Sequence, residues 1–295
     1  MSFSKDKVKA PLLTFFSNAN DFLAVVEPTL VQEETRHRLM LGIAIALKKN
    51  PAAYGDRLPL LCAHLDSRGQ PVFIAVMTPP FPILVWFEHS LGDGSMRLIA
   101  NEILDAGWDV PGVNGIAECS ERFAPIFAEL SKRGLLKEMR SRSYELTQVR
   151  FPASLPTGHW QWADQSQAES ILKLLLGMQT DLQPVVITNY TLEQARSFIE
   201  AKRVSVWVVD SEPVSMAMSN RPQLKSIGIS AVYTPPEHRK KGYAGANVAY
   251  LSQTLLDQGF ERVNLFTDLA NPTSNKIYME IGYREVCDYQ QFKLV

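Results

Sequence analysis

The sequence has 295 residues, of which 46% are hydrophobic and 21% are charged, and this composition excludes a disordered or fibrous chain. Thirty Lys and Arg residues against 31 Asp and Glu residues give a net charge of −1. Residues 1–150 carry 17 basic and 17 acidic groups, and residues 151–295 carry 13 and 14. This balance disfavours a nucleic-acid-binding protein, because such domains carry a basic surface.

The chain has no apolar run of about 18 residues, so we expect no membrane-spanning helix and no membrane partner. Its first residues are polar and charged, unlike the apolar core of a secretory signal. Cys62, Cys119 and Cys287 are far apart and odd in number, which disfavours a disulfide framework or a zinc site. We therefore expect a cytoplasmic protein without a bound metal, in which each cysteine is a small buried apolar residue.

A domain boundary is predicted at residues 150–158, where the sequence RFPASLPTG contains two prolines and a glycine. The predicted domains are therefore 1–150 and 151–295. Each half has a β-rich run followed by Asp-Ser, a turn and Pro-Val. The Asp-Ser pair begins at Asp66 in the first half and at Asp210 in the second. At a constant offset of 142 residues, Pro71, Val72, Ala75 and Pro80 match Pro213, Val214, Ala217 and Pro222. Unless this match is due to chance, it indicates that one fold is used twice.

The elements of the C-terminal half follow from its hydrophobic periodicity. In chain order they are strand 159–164, helices 166–179 and 191–201, strands 204–210, 213–219 and 225–233, helix 243–257, strand 262–267, helix 272–281 and a strand near 287–294. Strand pairs that precede a strand–helix–strand unit predict an α/β class with a mixed sheet. Before the boundary, residues 144–151 alternate like a terminal strand.

The segment 226–260 carries the first functional signal. A β-branched strand is followed by two prolines, by three consecutive cations at 239–241 and by Gly242, after which a helix begins. The first backbone N–H groups of a helix are unpaired and favour an anion, and glycine lets the chain approach that anion closely. Neither GxxxxGK[ST] nor GxGxxG is present, which disfavours a nucleoside triphosphate or a dinucleotide.

The second signal is NPTSNKIYMEIGYRE at residues 271–285. Asn271 is a good N-cap, and Pro272 occupies the first helical position, where its missing N–H costs nothing. Ser274 and Tyr278 are four residues apart and therefore share one helix face. Gly282 ends the helix.

The two motifs, Arg-x-x-Gly-x-Ala and Asn-x-x-Ser-x-x-x-Tyr-x-x-x-Gly-Tyr, lie about thirty residues apart. In this order they resemble the GNAT superfamily of acyl-CoA-dependent N-acyltransferases, over roughly residues 155–295. The resemblance implies tandem GNAT-like domains, each a twisted mixed sheet flanked by helices. It implies that 151–295 is the catalytic N-acetyltransferase domain and that 1–150 is a degenerate or accessory copy.

What the resemblance implies chemically is direct transfer of an acetyl or other short acyl group from acetyl-CoA to a primary amine. The amine belongs to a small molecule or a peptide. Tyr278 is implied to protonate the departing thiolate, a task that suits a phenol with a pKa of about 10. The implied cofactor-binding residues are Val232, Tyr233, Thr234, Arg239, Lys240, Lys241, Gly242, Tyr243, Ala244, Asn271 and Ser274.

Within this set the implied roles differ. The backbone of Val232 and Tyr233 is expected to hold the pantetheine arm as an added strand. The amides of residues 241–244 are expected to hold the pyrophosphate, with Arg239 and Lys240 supplying charge nearby. Asn271 and Ser274 are expected to lie near the pantetheine arm.

Other interpretations stay open. The strand KSIGISAVY carries no carboxylate to deprotonate the amine, and the nearest candidates in sequence are Glu237 and Asp268, so the general base is unassigned. A non-catalytic CoA-binding sensor keeps the loop without Tyr278 chemistry, and Tyr278 is then a core aromatic. A scaffold with two inactive halves is a further alternative. Trp160, Trp162 and Trp207 are interpreted as sheet packing.

The N-terminal half lacks the cationic loop, since residues 87–94 stand in its place. We expect this half either to line the substrate cleft or to form a homodimer. The acceptor pocket is expected to involve the 180–192 segment.

Overall fold

A computed structural model describes residues 12–181, 190–220 and 222–295 of the chain. The chain divides into two compact units. Unit 1 spans Met1–Ser141 and Cys287–Val295, and unit 2 spans Arg142–Val286. The division differs from the predicted boundary at 150–158, because that segment belongs to unit 2 and the last nine residues of the chain belong to unit 1.

The elements up to the middle of the chain begin with a short strand and two helices. They are β1 (Leu13–Phe15), α1 (Ala19–Leu30), α2 (Glu34–Lys49), β2 (Leu60–Leu65), β3 (Pro71–Met77), β4 (Ile83–Phe87), α3 (Asp93–Asp105), β5 (Gly112–Gly115), α4 (Ala117–Ser131) and β6 (Leu135–Leu146).

The second series repeats this order of strands and helices. It comprises β7 (His159–Trp162), α5 (Ala168–Asp181), α6 (Leu192–Glu200), β8 (Val204–Val209), β9 (Glu212–Ser219), β10 (Ser226–Tyr233), α7 (Tyr243–Asp257), β11 (Arg262–Asp268), α8 (Pro272–Ile281) and β12 (Arg284–Leu294). The repeated order confirms the predicted α/β class. Short 3-10 turns lie at Val31–Glu33, Gln165–Gln167 and Pro236–His238.

Each unit contains a mixed sheet. In unit 1 the strand order is β1-β2-β3-β4-β5, and the part of β12 after Val286 is the sixth strand. In unit 2 the order is β7-β8-β9-β10-β11, and the part of β6 after Ser141 is the sixth strand. The pairs β4–β5 and β10–β11 are parallel. Each series of elements therefore supplies its last strand to the other unit.

Helices cover both faces of each sheet. In β3, Phe73 and Ala75 pack in a cluster with α3 and α4, whereas Ile74 and Val76 pack with α1 and α2. This follows from the alternation of side chains along a strand, and it explains why β3 reads as a continuous apolar run. In unit 2, one cluster includes α7 and α8, and the other includes α5 and α6.

Several individual predictions have clear outcomes. Trp207 is buried in the sheet core, as expected, and Met216 and Met218 are buried there too. The strand predicted at 144–151 is wrong beyond Leu146, because the backbone N–H of Arg150 donates to the carbonyl of Ile281 at 2.7 Å and leaves the sheet ladder. Among the described residues, no helix is long and apolar enough to cross a bilayer.

The last strand, β12, offers a test of the finding that each series of elements supplies its last strand to the other unit. Phe292 is buried in the core of unit 1 and pairs with Val113 of β5, while the next residue, Lys293, is exposed. We expect Phe292→Ala to lower the free energy of unfolding by about 3–5 kcal/mol, since it leaves a cavity in that core. Chemical denaturation monitored by circular dichroism measures the change. The control is Lys293→Ala on the same strand, expected to stay near the wild-type value; equal stability of the two variants would contradict this assignment of β12.

Candidate functional site

The two parallel strands of unit 2 separate halfway along their length. The ladder between β10 and β11 pairs Ser226–Ile229 with Arg262–Leu265, and no further pair follows in the described residues. Beyond Ile229, β10 continues to Tyr233. The second half of β10 therefore has a side that β11 does not occupy.

An irregularity in β10 coincides with this separation. On its other side β10 pairs with β9 through Ser230 and then only at Tyr233, so the register shifts between them. Ala231 within the shift has φ = 49°, a left-handed conformation that is rare for a residue with a Cβ. A β-bulge bends its strand. On the side that faces β11, the end of β10 that includes Val232 and Tyr233 has no strand partner in the described residues and is thus available to an extended ligand that adds as a strand.

The predicted anion loop follows β10 directly. A 3-10 turn at Pro236–His238 leads to Lys240 with φ = 62° and to Gly242 with φ = 84°, and α7 then begins at Tyr243. Gly242 is the N-cap residue, and no side chain caps the first turn, which also contains no acidic residue. The first N–H groups of α7 therefore lack the side-chain partner that usually satisfies them, which makes this helix start suited to an anion.

The three cations of the loop are not equivalent. Arg239 forms an ion pair with Asp181 at the end of α5, and its Nε donates to the carbonyl of Thr234 at 2.9 Å. The Tyr233 hydroxyl donates to the same carboxylate at 3.1 Å, and burial followed by that hydrogen bond raises the pKa of Tyr233. Arg239 thus braces the loop against α5. Lys240 and Lys241 are exposed and have no ion pair among the described residues.

The second predicted motif forms α8 as expected. The side-chain oxygen of Asn271 accepts a hydrogen bond from the Ser274 backbone N–H at 3.1 Å, and Pro272 is the first helical residue. The helix ends at Gly282, which has φ = 112°. This capping hydrogen bond occupies the side-chain oxygen of Asn271. The side-chain amide nitrogen is therefore the part of Asn271 that is left for a ligand. Ser274 is half-buried on the same helix.

Tyr278 lies in the core between α7, α8 and the sheet. It is 7% exposed, and its ring is 6.5 Å from that of Tyr144 and 5.9 Å from that of Tyr283. Burial raises the pKa of Tyr278 to about 12, above the value of about 10 for an ordinary phenol. Its hydroxyl has no hydrogen-bond partner among the described residues. The side chain is a protonated donor at neutral pH.

Asn275 is a part of this site that sequence reasoning missed. Its Nδ2 donates to the carbonyls of Asp268 at 3.1 Å and Asn271 at 2.7 Å, and its Oδ1 accepts from the Tyr144 hydroxyl at 2.9 Å. These bonds fix the start of α8 to the end of β11. The only signal in the sequence was its position three residues before Tyr278, which places both on the buried face.

A cavity of about 550 Å³ adjoins the loop. Its walls are the segment 150–156, the loop and first turn of α7, and the end of α8. The lining residues are Arg150, Phe151, Pro152, Ala153, Ser154, Leu155, Pro156, Lys241, Gly242, Gly245, Ile277, Glu280 and Ile281. The predicted domain boundary is therefore a wall of the candidate site. Of the predicted acceptor segment 180–192, residues 182–189 lie outside the described residues.

The corresponding loop of unit 1 is built differently. Its helix α3 starts with the carboxylate residue Asp93, and the N-cap Gly92 has an ordinary φ of −76°. Arg122 pairs with Asp93 at 3.3 Å. A carboxylate at the helix start takes the favourable position that an anionic ligand would need. Unit 1 thus lacks, in its described residues, a helix start as favourable to an anion as that of α7. No cluster of three or more His, Cys, Asp or Glu that suits a metal occurs in the described part of either unit.

The comparisons with known proteins concern both units. Residues 170–283 match the family model described as the acetyltransferase (GNAT) family. The matched range includes the separated strands, the anion loop and Tyr278. The curated proteins contain no match to this chain.

Solved structures resemble nearly the whole chain. A Drosophila protein aligns with a TM-score of 0.64 at 13% identity, covering 97% of this chain and 99% of its own. A GCN5-related N-acetyltransferase from Sphaerobacter thermophilus aligns with a TM-score of 0.60 at 14% identity, covering 96% of this chain and 95% of its own. An acetyltransferase from the GNAT family of Colwellia psychrerythraea aligns with a TM-score of 0.59 at 11% identity, covering 96% of this chain and 99% of its own. At these identities the likeness establishes the fold, that of tandem GNAT-like domains.

Proposed function

Because the C-terminal half of this chain carries a domain of the GNAT acetyltransferase family, we propose that unit 2 transfers an acetyl group from acetyl-CoA to a primary amine. The observation that carries this proposal is the combination of separated parallel strands with an uncapped helix start at Gly242. The first suits the extended, hydrogen-bonding pantetheine arm, and the second suits the pyrophosphate.

The described residues fit the cofactor at both ends. The backbone amides of residues 241–244 lie at the start of α7, and the exposed Lys240 and Lys241 add positive charge there. On the side that faces β11, the end of β10 at Val232 and Tyr233 offers backbone groups to the amides of the pantetheine arm. Arg239 serves the loop through its ion pair with Asp181 rather than as a free cation.

The reaction needs one bond formed and one broken. The neutral amine nitrogen attacks the thioester carbonyl, the new C–N bond forms, and the C–S bond breaks. The departing thiolate takes a proton from the Tyr278 hydroxyl, and the extra proton of the nitrogen leaves to solvent. Solvent also restores the Tyr278 proton. The raised pKa of Tyr278 does not oppose this step, because the same burial raises the basicity of a thiolate beside it.

No carboxylate of the described residues is assigned as the base. Glu237 is exposed in the 3-10 turn of the loop. The Asp268 carboxylate accepts the backbone N–H of Ala270 at 2.8 Å and so serves the turn that precedes α8. The acceptor amine is therefore proposed to enter in its neutral form, as part of a small molecule or a peptide.

A CoA-binding sensor without catalysis is the second candidate function. The buried position of Tyr278 and the absence of a carboxylate on β10 favour it. The two functions share the cofactor site and differ only in turnover.

An assay of thiol release separates the two. The full chain is incubated with acetyl-CoA and, in turn, with a polyamine, an aminoglycoside, an amino acid, a Lys peptide and a peptide with a free N-terminus. We expect at least one amine to give acetylated product and stoichiometric CoA. Saturable cofactor binding without product from any acceptor class would favour the sensor, and absence of binding would contradict both.

A further inference from the structure

The segment 147–158, which we call the linker, is anchored across the surface of unit 2. The backbone N–H of Arg150 donates to the carbonyl of Ile281 at 2.7 Å, and the indole N–H of Trp207 donates to the carbonyl of Thr157 at 2.9 Å. Between these anchors, the Phe151 ring packs edge-on against Tyr250 at 5.1 Å. The linker is thus held against unit 2 by two hydrogen bonds and one ring contact, and it forms a fixed wall.

A glycine makes the close approach of the linker possible. Gly282 has φ = 112°, and a Cβ on it would lie 2.9 Å from the carbonyl oxygen of Gln148 and 3.4 Å from Cγ of Arg150. A side chain at 282 would therefore push the linker away. The backbone at Arg150 is consequently positioned by two independent features of the end of α8.

Within the described part of the chain, the side chain of Arg150 is a cation without a partner. It has no ion pair and no side-chain hydrogen bond among the described residues. Its side chain lines the cavity of about 550 Å³ beside the loop and also a second, polar cavity of about 300 Å³. The carboxylate of Glu280 also lines the larger cavity, but it faces Lys276 at 3.8 Å. Arg150 and Lys241 thus leave this cavity with unbalanced positive charge.

The position of the cavity determines which part of a ligand it receives. With the pyrophosphate at the start of α7, the pantetheine arm extends toward the gap between β10 and β11. The nucleotide end must then leave the pyrophosphate on the other side, where the cavity runs from Gly242 toward Glu280. Exposed apolar side chains of the linker, Phe151 and Leu155, line it and suit a purine ring.

We propose that the linker binds the nucleotide end of CoA, with Arg150 recognising its ribose 3′-phosphate. This inference rests on the proposed function, since it adds a second anion to the same cofactor. A phosphate monoester carries nearly two negative charges at neutral pH, and the guanidinium fork matches its oxygens in bidentate fashion. The linker thereby makes the protein selective for CoA over cofactors that lack the 3′-phosphate.

Calorimetric titration of the full chain with CoA and with dephospho-CoA, which lacks only the 3′-phosphate, tests the proposal. We expect wild type to bind CoA about tenfold tighter than dephospho-CoA. Arg150→Gln should remove that difference by weakening CoA alone, and Arg150→Lys, which keeps the charge, should retain part of it. Arg196→Gln on α6 is the control for the loss of one exposed arginine, and it should leave both affinities unchanged.

The outcomes that overturn the inference are distinct from failure of the proposed function. Equal affinity of wild type for both ligands, or equal weakening of both by Arg150→Gln, would contradict recognition of the 3′-phosphate while leaving the transferase proposal intact. Absence of binding of either ligand to wild type would overturn the proposed function, and this inference with it. Adenosine 3′,5′-bisphosphate as a third probe should bind wild type and lose affinity in Arg150→Gln.

Discussion

Replacing Gly242 by glutamate is expected to weaken acetyl-CoA binding at least about a hundredfold, because a like charge placed against the pyrophosphate costs several kcal/mol. Gly242 has φ = 84° at the uncapped start of α7, and the nearest atom to a Cβ there is Cγ of Pro156 at 3.9 Å. The new side chain therefore has room to enter the cavity. Calorimetric titration of the variant with acetyl-CoA measures the loss.

The same helix offers a matched control. Gly259 follows the other end of α7 with φ = 97°, and no atom lies within 4 Å of a Cβ built on it. Gly259→Glu thus carries the same charge and a similar left-handed strain of about 1–2 kcal/mol. We expect it to lower stability and to keep cofactor affinity. Equal affinity in the two variants, whether retained or lost, would contradict the assignment of the anion site to Gly242.

The second large effect is expected at Tyr278. Tyr278→Phe should lower kcat by about 10²–10⁴, the usual contribution of a positioned acid, and should leave the Kd for acetyl-CoA nearly unchanged because the ring keeps its packing. Since burial holds the pKa of Tyr278 at about 12, the hydroxyl stays protonated through neutral pH. The rate of the wild type should therefore show no alkaline loss from this group below about pH 11. Steady-state kinetics with an amine that the thiol-release assay identifies as an acceptor gives kcat, and calorimetric titration gives the Kd for acetyl-CoA.

Tyr283 supplies the control for Tyr278. Its ring lies 5.9 Å from that of Tyr278, and its hydroxyl is hydrogen-bonded to the Ser252 hydroxyl at 2.8 Å. Tyr283→Phe removes a buried hydrogen bond, which costs about 1 kcal/mol of stability, and is expected to preserve kcat. A wild-type kcat in Tyr278→Phe would remove Tyr278 from the mechanism and leave it as a core aromatic.

Local sequence signals predicted the elements of the site well. The predicted bounds of α7 and α8 agree with the structure at both ends, because glycine, proline and asparagine occupy the positions where helices start and stop. Gly242 and Gly282 both have the positive φ that such positions require. Capping depends on neighbouring residues and is therefore readable from the sequence alone.

Features that depend on distant residues were not predictable. The apolar pattern of β12 identifies a strand, but nothing in it says that its last residues pair with β5 of unit 1. The ion pair of Arg239 with Asp181 joins residues 58 positions apart, and it braces the loop against α5. The prolines of the linker predicted a domain boundary. The restricted backbone that proline imposes also makes the linker a stiff wall of the cavity.

The difference between the units concerns one helix start. Unit 1 repeats the element order of unit 2, but after its N-cap glycine α3 begins with Asp93, whereas α7 begins with Tyr243. A carboxylate at that position repels the anion that an uncapped helix start attracts. We therefore expect one cofactor site per chain, in unit 2.

The most direct test of this account is calorimetric titration of acetyl-CoA into the wild-type full chain, with stoichiometry as well as affinity measured. Saturable binding of one acetyl-CoA per chain is the predicted result, because in the described structure the helix start of unit 2 follows a cationic loop, whereas that of unit 1 begins with the carboxylate residue Asp93. No binding at millimolar acetyl-CoA would contradict the cofactor site and the transferase proposal together. Two equivalents per chain would contradict the assignment of unit 1 as a copy without the site.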